Sequence, residues 1–309
     1  MSRTPDLGPV PRRIPVETRQ VRALLEQQFP RWAALPVRPV ANGGWDNWTF
    51  HLGSDMLVRL PSAAEYALAV DKEHRWLPAL APRLPLPIPV PLAKGEPGAG
   101  YPYAWSVYRW LGGEPARTER VADPVRFARD LAGFVAALRG VDPTDGPRPG
   151  VHNWYRGGTL RTYAGQAHAA LADLGSHLDA DLAREIWGHA LDARWDGVER
   201  WFHGDLAEGN LLLDDGRLAA VIDFGTCGVG DPACDLAIAW TLLTAEGRRA
   251  FRELLPVSAA EWARGRGWAL WKTLVVYASA LDDDEEEEAA GARRVLDGIL
   301  SEYVASGRS

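Results

Sequence analysis

Apolar residues Val21, Leu24, Leu25 and Phe29 recur at three- and four-residue steps between Val16 and about Phe29. That spacing puts them on one helical face and predicts a first helix after a Pro-rich stretch, residues 1–14. Three short runs with partial alternation follow, VRPVAN, NWTFHL and DMLVRL, with Gly53-Ser54 as a Gly-first hairpin turn between the last two. Ser62-Ala-Ala-Glu65 has the form of a capping box, opening a helix that carries Glu73 and that Pro78 and Pro82 are expected to stop. PLPIPVPL must be extended, because alternating prolines remove donors and fix φ, and YAWSVYRW reads as a further strand. Residues 36–110 therefore predict a small, mostly antiparallel sheet with one helix.

After GGEPA the period changes. Asp123-Pro124 supplies an N-cap and a first-turn proline to a helix reaching about Leu138. Helical spacing covers roughly 159–175 and 180–202, Asp231-Pro232 opens a helix expected to end before Gly247, and 289–304 forms the last. Ser258-Ala-Ala-Glu261 is a second capping box, for a helix whose Trp262, Trp268 and Trp271 read as packing residues. NLLL and LAAVIDF, split by Asp214-Asp215-Gly216, predict a β-hairpin within this helical region. The chain thus divides into a tail and helix (1–35), a β-rich lobe (36–111) and, from Gly112-Gly113 onward, a helical lobe (112–309).

Composition narrows the classes. With 309 residues, 47% hydrophobic, the chain can bury a sizeable core. Its net charge is 34 − 41 = −7, which argues against nucleic acid or an anionic membrane as partner and leaves room for a cationic substrate. Cys227 and Cys234 form no metal-ligand pattern and read as reduced, buried thiols. The N-terminus lacks a signal-peptide apolar segment, and no run approaches the ~20 apolar residues of a membrane span. The expectation is a cytoplasmic protein. Its oligomeric state is left open.

The candidate chemistry lies in HGDLAEGN, residues 203–210, and in IDFG, whose Asp223 comes thirteen residues after Asn210. Phosphoryl transfer needs a carboxylate to orient and deprotonate an acceptor hydroxyl, hard oxygen ligands for Mg²⁺, and clamps on the phosphates. Asp205 on the loop can face the acceptor. Asn210 offers a neutral carbonyl oxygen and Asp223 a charged one, so both can meet one metal cluster. Gly204 and Gly209 permit turns that a Cβ would resist.

HGDLAEGN, IDFG and GDPACDLA, in this order and at these distances, resemble the aminoglycoside phosphotransferase family, small-molecule relatives of protein kinases. The resemblance runs from about residue 36 to 305. It implies an α+β, two-lobed protein-kinase-like fold, with an N-terminal antiparallel β-sheet lobe carrying one key helix and a mainly helical C-terminal lobe. It also implies Asp205 as catalytic base, Asn210 and Asp223 as Mg²⁺ ligands, and His203 as a structural member of the loop bonded to backbone near IDFG. Asp231 and Asp235 would buttress that loop, with Asp231 also a helix N-cap. ANGGWDN stands where a kinase has its glycine-rich loop, with Gly43 and Gly44 near phosphate. Arg59 in LVRL occupies the register where relatives often carry lysine, with Glu73 its expected partner. Backbone groups of Arg109 and Leu111, flanked by Tyr108 and Trp110, would meet the base of ATP or GTP. The acidic run DDDEEEE, 282–288, reads as a solvated turn, although the family's C-terminal helices and loops line the acceptor pocket. His51 and His152 have no evident partners.

The leading expectation is a Mg²⁺-dependent kinase for a small hydroxylated molecule, an antibiotic such as an aminoglycoside among the options. The departure at Arg59 and the thin glycine loop keep a nucleotide-binding pseudo-enzyme with a regulatory role as the alternative. A metal-dependent phosphohydrolase leaves Asn210 and the β-rich lobe without a purpose. For a protein kinase, GDPACDLA follows IDFG too closely to leave room for an activation loop.

Overall fold

The structure is a computed structural model and describes residues 5, 7–41 and 43–307. Helix α1 (Thr18–Gln28) buries Val21, Leu24 and Leu25, the residues whose spacing predicts it. They pack with Phe50, Val58, Trp105 and Val107 against one face of the N-terminal sheet. That sheet has five antiparallel strands, β1 (Val37–Pro39), β2 (Asn47–Leu52), β3 (Met56–Pro61), β4 (Pro91–Gly95) and β5 (Trp105–Arg109). Across the sheet they run β1-β2-β3-β5-β4. Leu52 pairs with Met56, so the turn holds three residues, Gly53 to Asp55, one more than expected. Gly53 takes φ +65°, the left-handed region that favours glycine.

Helix α2 (Ala64–Leu80) departs from its sequence signals at both ends. Ser62 makes no cap: its hydroxyl donates to the Trp45 carbonyl at 3.0 Å, and Ala63 takes the N-cap position. Pro78 lies inside the helix and does not stop it. Leu77 and Leu80, 0% and 1% exposed, are anchored on either side of it in the core of the helical region, and packing outweighs the one hydrogen bond the proline deletes.

Beyond β6 (Glu114–Pro115), α3 (Pro124–Arg139) begins as expected, Asp123 Oδ1 accepting from the amides of Val125 and Arg126. Helices α4 (Ala164–Leu174) and α5 (Ala180–Asp192) follow. The helix expected through 202 ends at Asp192, and Arg200–Phe202 forms β7 instead. Trp201 and Phe202, each 0% exposed, enter the core from opposite pleats of that strand. Strands β8 (Leu211–Asp214) and β9 (Arg217–Val221) form the predicted hairpin around Asp215-Gly216. Both turn residues have positive φ (48° and 74°), the type I′ geometry that suits a hairpin's twist. Strand β8 pairs on its other side with β6, and β10 (Gly228–Gly230) pairs with β7.

After Asp231 the chain makes a 3-10 turn, Pro232–Ala237, then α6 (Ile238–Thr241) and α7 (Ala245–Leu254). The single helix expected before Gly247 is thus two. Thr244 caps the second, accepting from the Gly247 amide at 3.1 Å. Helix α8 (Ala259–Asp282) starts at the predicted cap, Ser258 Oγ accepting from the Glu261 amide. Helix α9 (Glu286–Ala305) opens within the acidic run, where carboxylates face the positive end of a helix dipole. Trp262, Trp268 and Trp271 are 2%, 3% and 8% exposed, hence core. The result is a two-lobed α+β arrangement, with a β-rich core beneath α1 and a helical core that includes Leu77 and Leu80 from the end of α2.

Candidate active site

Strand β7 leads into the 203–210 loop, and the bend is built around Gly204. Its φ is +87°, and a Cβ there would stand 2.8 Å from the Thr226 carbonyl oxygen. Gly209 has no such requirement: nothing lies within 4 Å of its Cβ position. The backbone amides of His203 and Gly204 both donate to Asp235, at 2.9 and 2.7 Å. Asp235 is fully buried, and burial pushes its carboxyl pKa up against the lowering effect of these amides. His203 Nε2 lies 3.0 Å from the Ile222 carbonyl oxygen, while the Asp205 amide donates to Nδ1 at 3.2 Å. Those partners assign the neutral tautomer with its proton on Nε2. Asp231 caps the Ala233 amide and holds a bidentate pair with Arg264, at 2.6 and 3.1 Å.

Asn210 is tied into the same unit. Its Nδ2 donates to the Asp205 carbonyl at 2.9 Å and to Asp205 Oδ2 at 3.2 Å. Its own carbonyl accepts from the Ile222 amide at 2.8 Å, which sets Asn210 beside the residue preceding Asp223. The other carboxylate oxygen, Asp205 Oδ1, is 2.6 Å from Lys272 Nζ of α8. Burial acts to raise the Asp205 pKa, but Lys272, with Arg156, outweighs it and holds the carboxyl down at about 2. Asp205 is therefore ionised throughout the neutral range.

Asp223 adopts a left-handed φ of +64°, a conformation that costs a non-glycine residue roughly 1–3 kcal/mol. Arg59 Nη2 meets its Oδ1 at 2.8 Å, and Nη1 stands 3.7 Å from Glu73 Oε1. Arg59 thus pairs first with Asp223 and more distantly with the partner expected from sequence. Glu73 is also held by the buried Tyr108 hydroxyl. Next to it, Lys72 is buried with its ammonium donating to the carbonyls of Gly225 (2.6 Å) and Cys227 (3.1 Å) and lying 3.3 Å from His152 Nδ1. Asp46, Glu65, Tyr66, Glu73 and His152 line a crevice of about 20 Å³, the size of a single water site.

The structure therefore brings together His203, Asp205, Asn210, Asp223, Arg59, Glu73, Asp231 and Asp235. Other expected residues sit differently. Gly43 and Gly44 are exposed and border a groove of about 640 Å³ toward Arg13 and Arg19 of the N-terminal segment. Neither has a positive φ, and a Cβ would meet nothing closer than 3.7 Å. Arg109 is exposed at the end of β5 and Leu111 half-buried beyond it. Tyr108 turns inward onto Glu73, and Trp110 packs against His51, 4.3 Å between ring centroids. Both histidines read as partnerless are engaged, His152 also through Nε2 with the Arg148 carbonyl.

Sequence reasoning missed Lys72, Lys272, Arg156 and Asp46. One signal was present. Of 34 basic residues only three are lysine (Lys72, Lys94, Lys272), and two of those three lie at this site.

Residues 37–268 match the family model described as the phosphotransferase enzyme family. The chain belongs to that family. Over 91 residues it is 31% identical to an aminoglycoside 3′-phosphotransferase from Escherichia coli, a match spanning 25% of this chain and 33% of that protein. Among solved structures, wild-type aminoglycoside 2′-phosphotransferase-IIIa in complex with GDP superimposes with a TM-score of 0.69 at 17% identity, covering 93% of this chain and 99% of the other. The macrolide 2′-phosphotransferase from Brachybacterium faecium gives 0.56 at 24% identity, covering 90% and 98%. At these identities the likeness establishes the fold.

Proposed function

We propose that this chain transfers the γ-phosphate of ATP or GTP to a hydroxyl of a small molecule, with Asp205 as the catalytic base. The observation that carries the reading is the 2.8 Å contact between Arg59 of the β-rich lobe and Asp223 of the helical lobe. It sets a guanidinium, which can bridge two phosphate oxygens, directly over the carboxylate segment. An ionised Asp205 accepts the proton of an acceptor hydroxyl and orients its oxygen toward the phosphorus. Lys272 keeps that carboxylate ionised, and Asn210 fixes its plane from the other side.

Among the described residues, no group of three or more His, Cys, Asp and Glu gathers as a complete metal cage. Mg²⁺ commonly takes one or two carboxylates and fills its shell with water and phosphate oxygens. Asp223 and the Asn210 side-chain oxygen suit that role as hard donors, the Asn210 nitrogen being engaged with Asp205. Bound there, the ion would neutralise phosphate charge as it develops. Gly43, Gly44, Arg109 and Leu111 remain the backbone positions assigned to the nucleotide. The small hydroxylated acceptor is sought first among aminoglycosides and macrolides, the substrates named in its relatives' descriptions. Two free, buried cysteines suit a cytoplasmic setting, and no described helix is long and apolar enough to cross a membrane.

The test is nucleoside-diphosphate release with Mg²⁺ and ATP or GTP against a broad hydroxyl panel. Asp205→Asn and Asp223→Asn should each remove it. Turnover that survives Asp205→Asn would overturn the assignment of the base, and nucleotide binding with no turnover would favour the regulatory alternative.

A further inference from the structure

Both oxygens of the proposed base already have partners. Asn210 Nδ2 donates to Oδ2, and the Lys272 ammonium meets Oδ1 at 2.6 Å. Each carboxylate oxygen can accept a second hydrogen bond, and an acceptor hydroxyl that meets Oδ1 shares it with that ammonium or displaces it. Lys272 comes from α8 and is 35% exposed, so it faces the open side of the loop. A second cation lies against the same loop, the Arg156 Cβ standing 3.2 Å from where a Gly204 Cβ would be. Arg156 also acts on Asp205, its guanidinium stacked 4.7 Å from the Trp271 ring centroid and donating to the Tyr163 hydroxyl at 2.6 Å.

Of the neighbouring carboxylates, Asp223 is paired with Arg59, and Asp46 lines the crevice beside Glu73 and His152. Asp231 is committed to Arg264, and Asp235 to the amides of His203 and Gly204. The acidic run begins ten residues further along α8 (282 − 272), about 15 Å away at the rise of an α-helix, and Asp282–Glu288 are exposed. With a hydroxyl on Oδ1, the Lys272 ammonium is left beside the acceptor, while the Arg156 guanidinium stays with Trp271 and Tyr163.

We propose that Lys272, backed by Arg156, makes this a site for acceptors bearing a carboxylate or phosphate group close to the reacting hydroxyl, and selects against polycations. The inference rests on the phosphotransfer reading alone, and it puts acids ahead of the polycationic aminoglycosides as the acceptors to try first. The acceptor's anion takes over the ammonium released from Asp205, so the hydroxyl gains the base without leaving a bare cation half-buried. A polyamine acceptor would add positive charge beside two cations and supply nothing in return.

The experiment measures diphosphate release by the full chain with hydroxy acids, sugar phosphates, neutral sugars, macrolides and aminoglycosides. Hydroxyl compounds carrying an acid should stimulate release above basal hydrolysis at lower concentration than any polycation. In Lys272→Met, matched to the parent by circular dichroism and thermal melting, the acceptor KM should rise about 10- to 100-fold. The nucleotide KM should change far less, and Lys272→Arg should recover most of the loss. Better turnover of a polycation than of every acid would overturn the proposal. So would an unchanged acceptor KM with only kcat reduced, which would assign the ammonium to the transferred phosphoryl group. Basal hydrolysis that requires Asp205, with no acid stimulating it, would sink the acceptor class alone. Loss of Asp205-dependent hydrolysis as well would remove the phosphotransfer reading beneath it.

Discussion

The ammonium of Lys72 on α2 donates to the carbonyl oxygen of Gly225 at 2.6 Å, fastening the helix of the β-rich lobe to the segment that carries Asp223. It donates to Cys227 as well. Burial pushes the lysine pKa down, with Cys227, Glu73 and Asp223 opposing. A buried cation held by backbone carbonyls fixes position. Lys72→Met removes the charge and leaves those carbonyls short of a donor. The expected cost is about 1–3 kcal/mol of stability, together with roughly tenfold weaker binding of the Mg²⁺–nucleotide as Asp223 loosens. Thermal melts and titration calorimetry measure both. Unchanged values in both would mean that the contact does not position the segment.

Arg59 spans Asp223 and Glu73 with two nitrogens of one planar group. Lysine can supply the charge but not the fork. Arg59→Lys should retain activity with a higher nucleotide KM. Arg59→Met should lower kcat/KM for the nucleotide by ~100-fold or more, since a charge-assisted contact and the phosphate clamp go together. Steady-state kinetics on the two variants decide the matter. Equal losses would show that geometry counts for more here than charge.

The two glycines of the 203–210 loop, alike on the page of sequence, should behave differently. Gly204→Ala forces a Cβ to within 2.8 Å of the Thr226 carbonyl at φ +87°, for an expected cost of about 2–4 kcal/mol. Gly209→Ala meets nothing within 4 Å and should stay within about 0.5 kcal/mol of the parent. Denaturant unfolding of the pair is the comparison. A Gly204→Ala protein as stable as the parent would contradict the bend described.

What could be read from sequence was local. The Asp215-Gly216 hairpin, the Asp123 and Ser258 caps and the HGDLAEGN loop each depend on neighbours a few residues apart. Lys272 could not be placed, because its partner Asp205 is 67 residues away. Lys72 was harder still, since it meets backbone carbonyls 153 and 155 residues distant, and a carbonyl carries no side-chain identity. The failures have similar causes. Ser62 has the form of a cap, but the Trp45 carbonyl competes for its hydroxyl. Residues 200–202 follow a helical pattern, yet the glycines of β10 offer a partner strand that only the fold brings near. A Cβ at Gly228 would come within 2.9 Å of the Phe202 ring.

Asp46 supplies the pH dependence. Its carboxyl is pushed from an ordinary 3.8 up to about 7, first by burial and then by Asp223 and Asp205, with Arg59 and a hydrogen bond to Tyr66 opposing. A carboxyl whose folded pKa is raised binds its proton more tightly in the folded chain than in the unfolded one. It therefore costs stability as pH climbs from the unfolded value toward 7, and the loss levels off above that. Asp46→Asn should accordingly raise the melting temperature more at pH 8 than at pH 5. The same ionisation places negative charge beside the proposed phosphate site. Metal-free nucleotide should then bind the parent more weakly as pH rises through about 7, and Asp46→Asn should flatten that slope. Paired melts and binding titrations from pH 5 to 9 measure both effects, and parallel profiles for the two proteins would show that Asp46 does not titrate in this range.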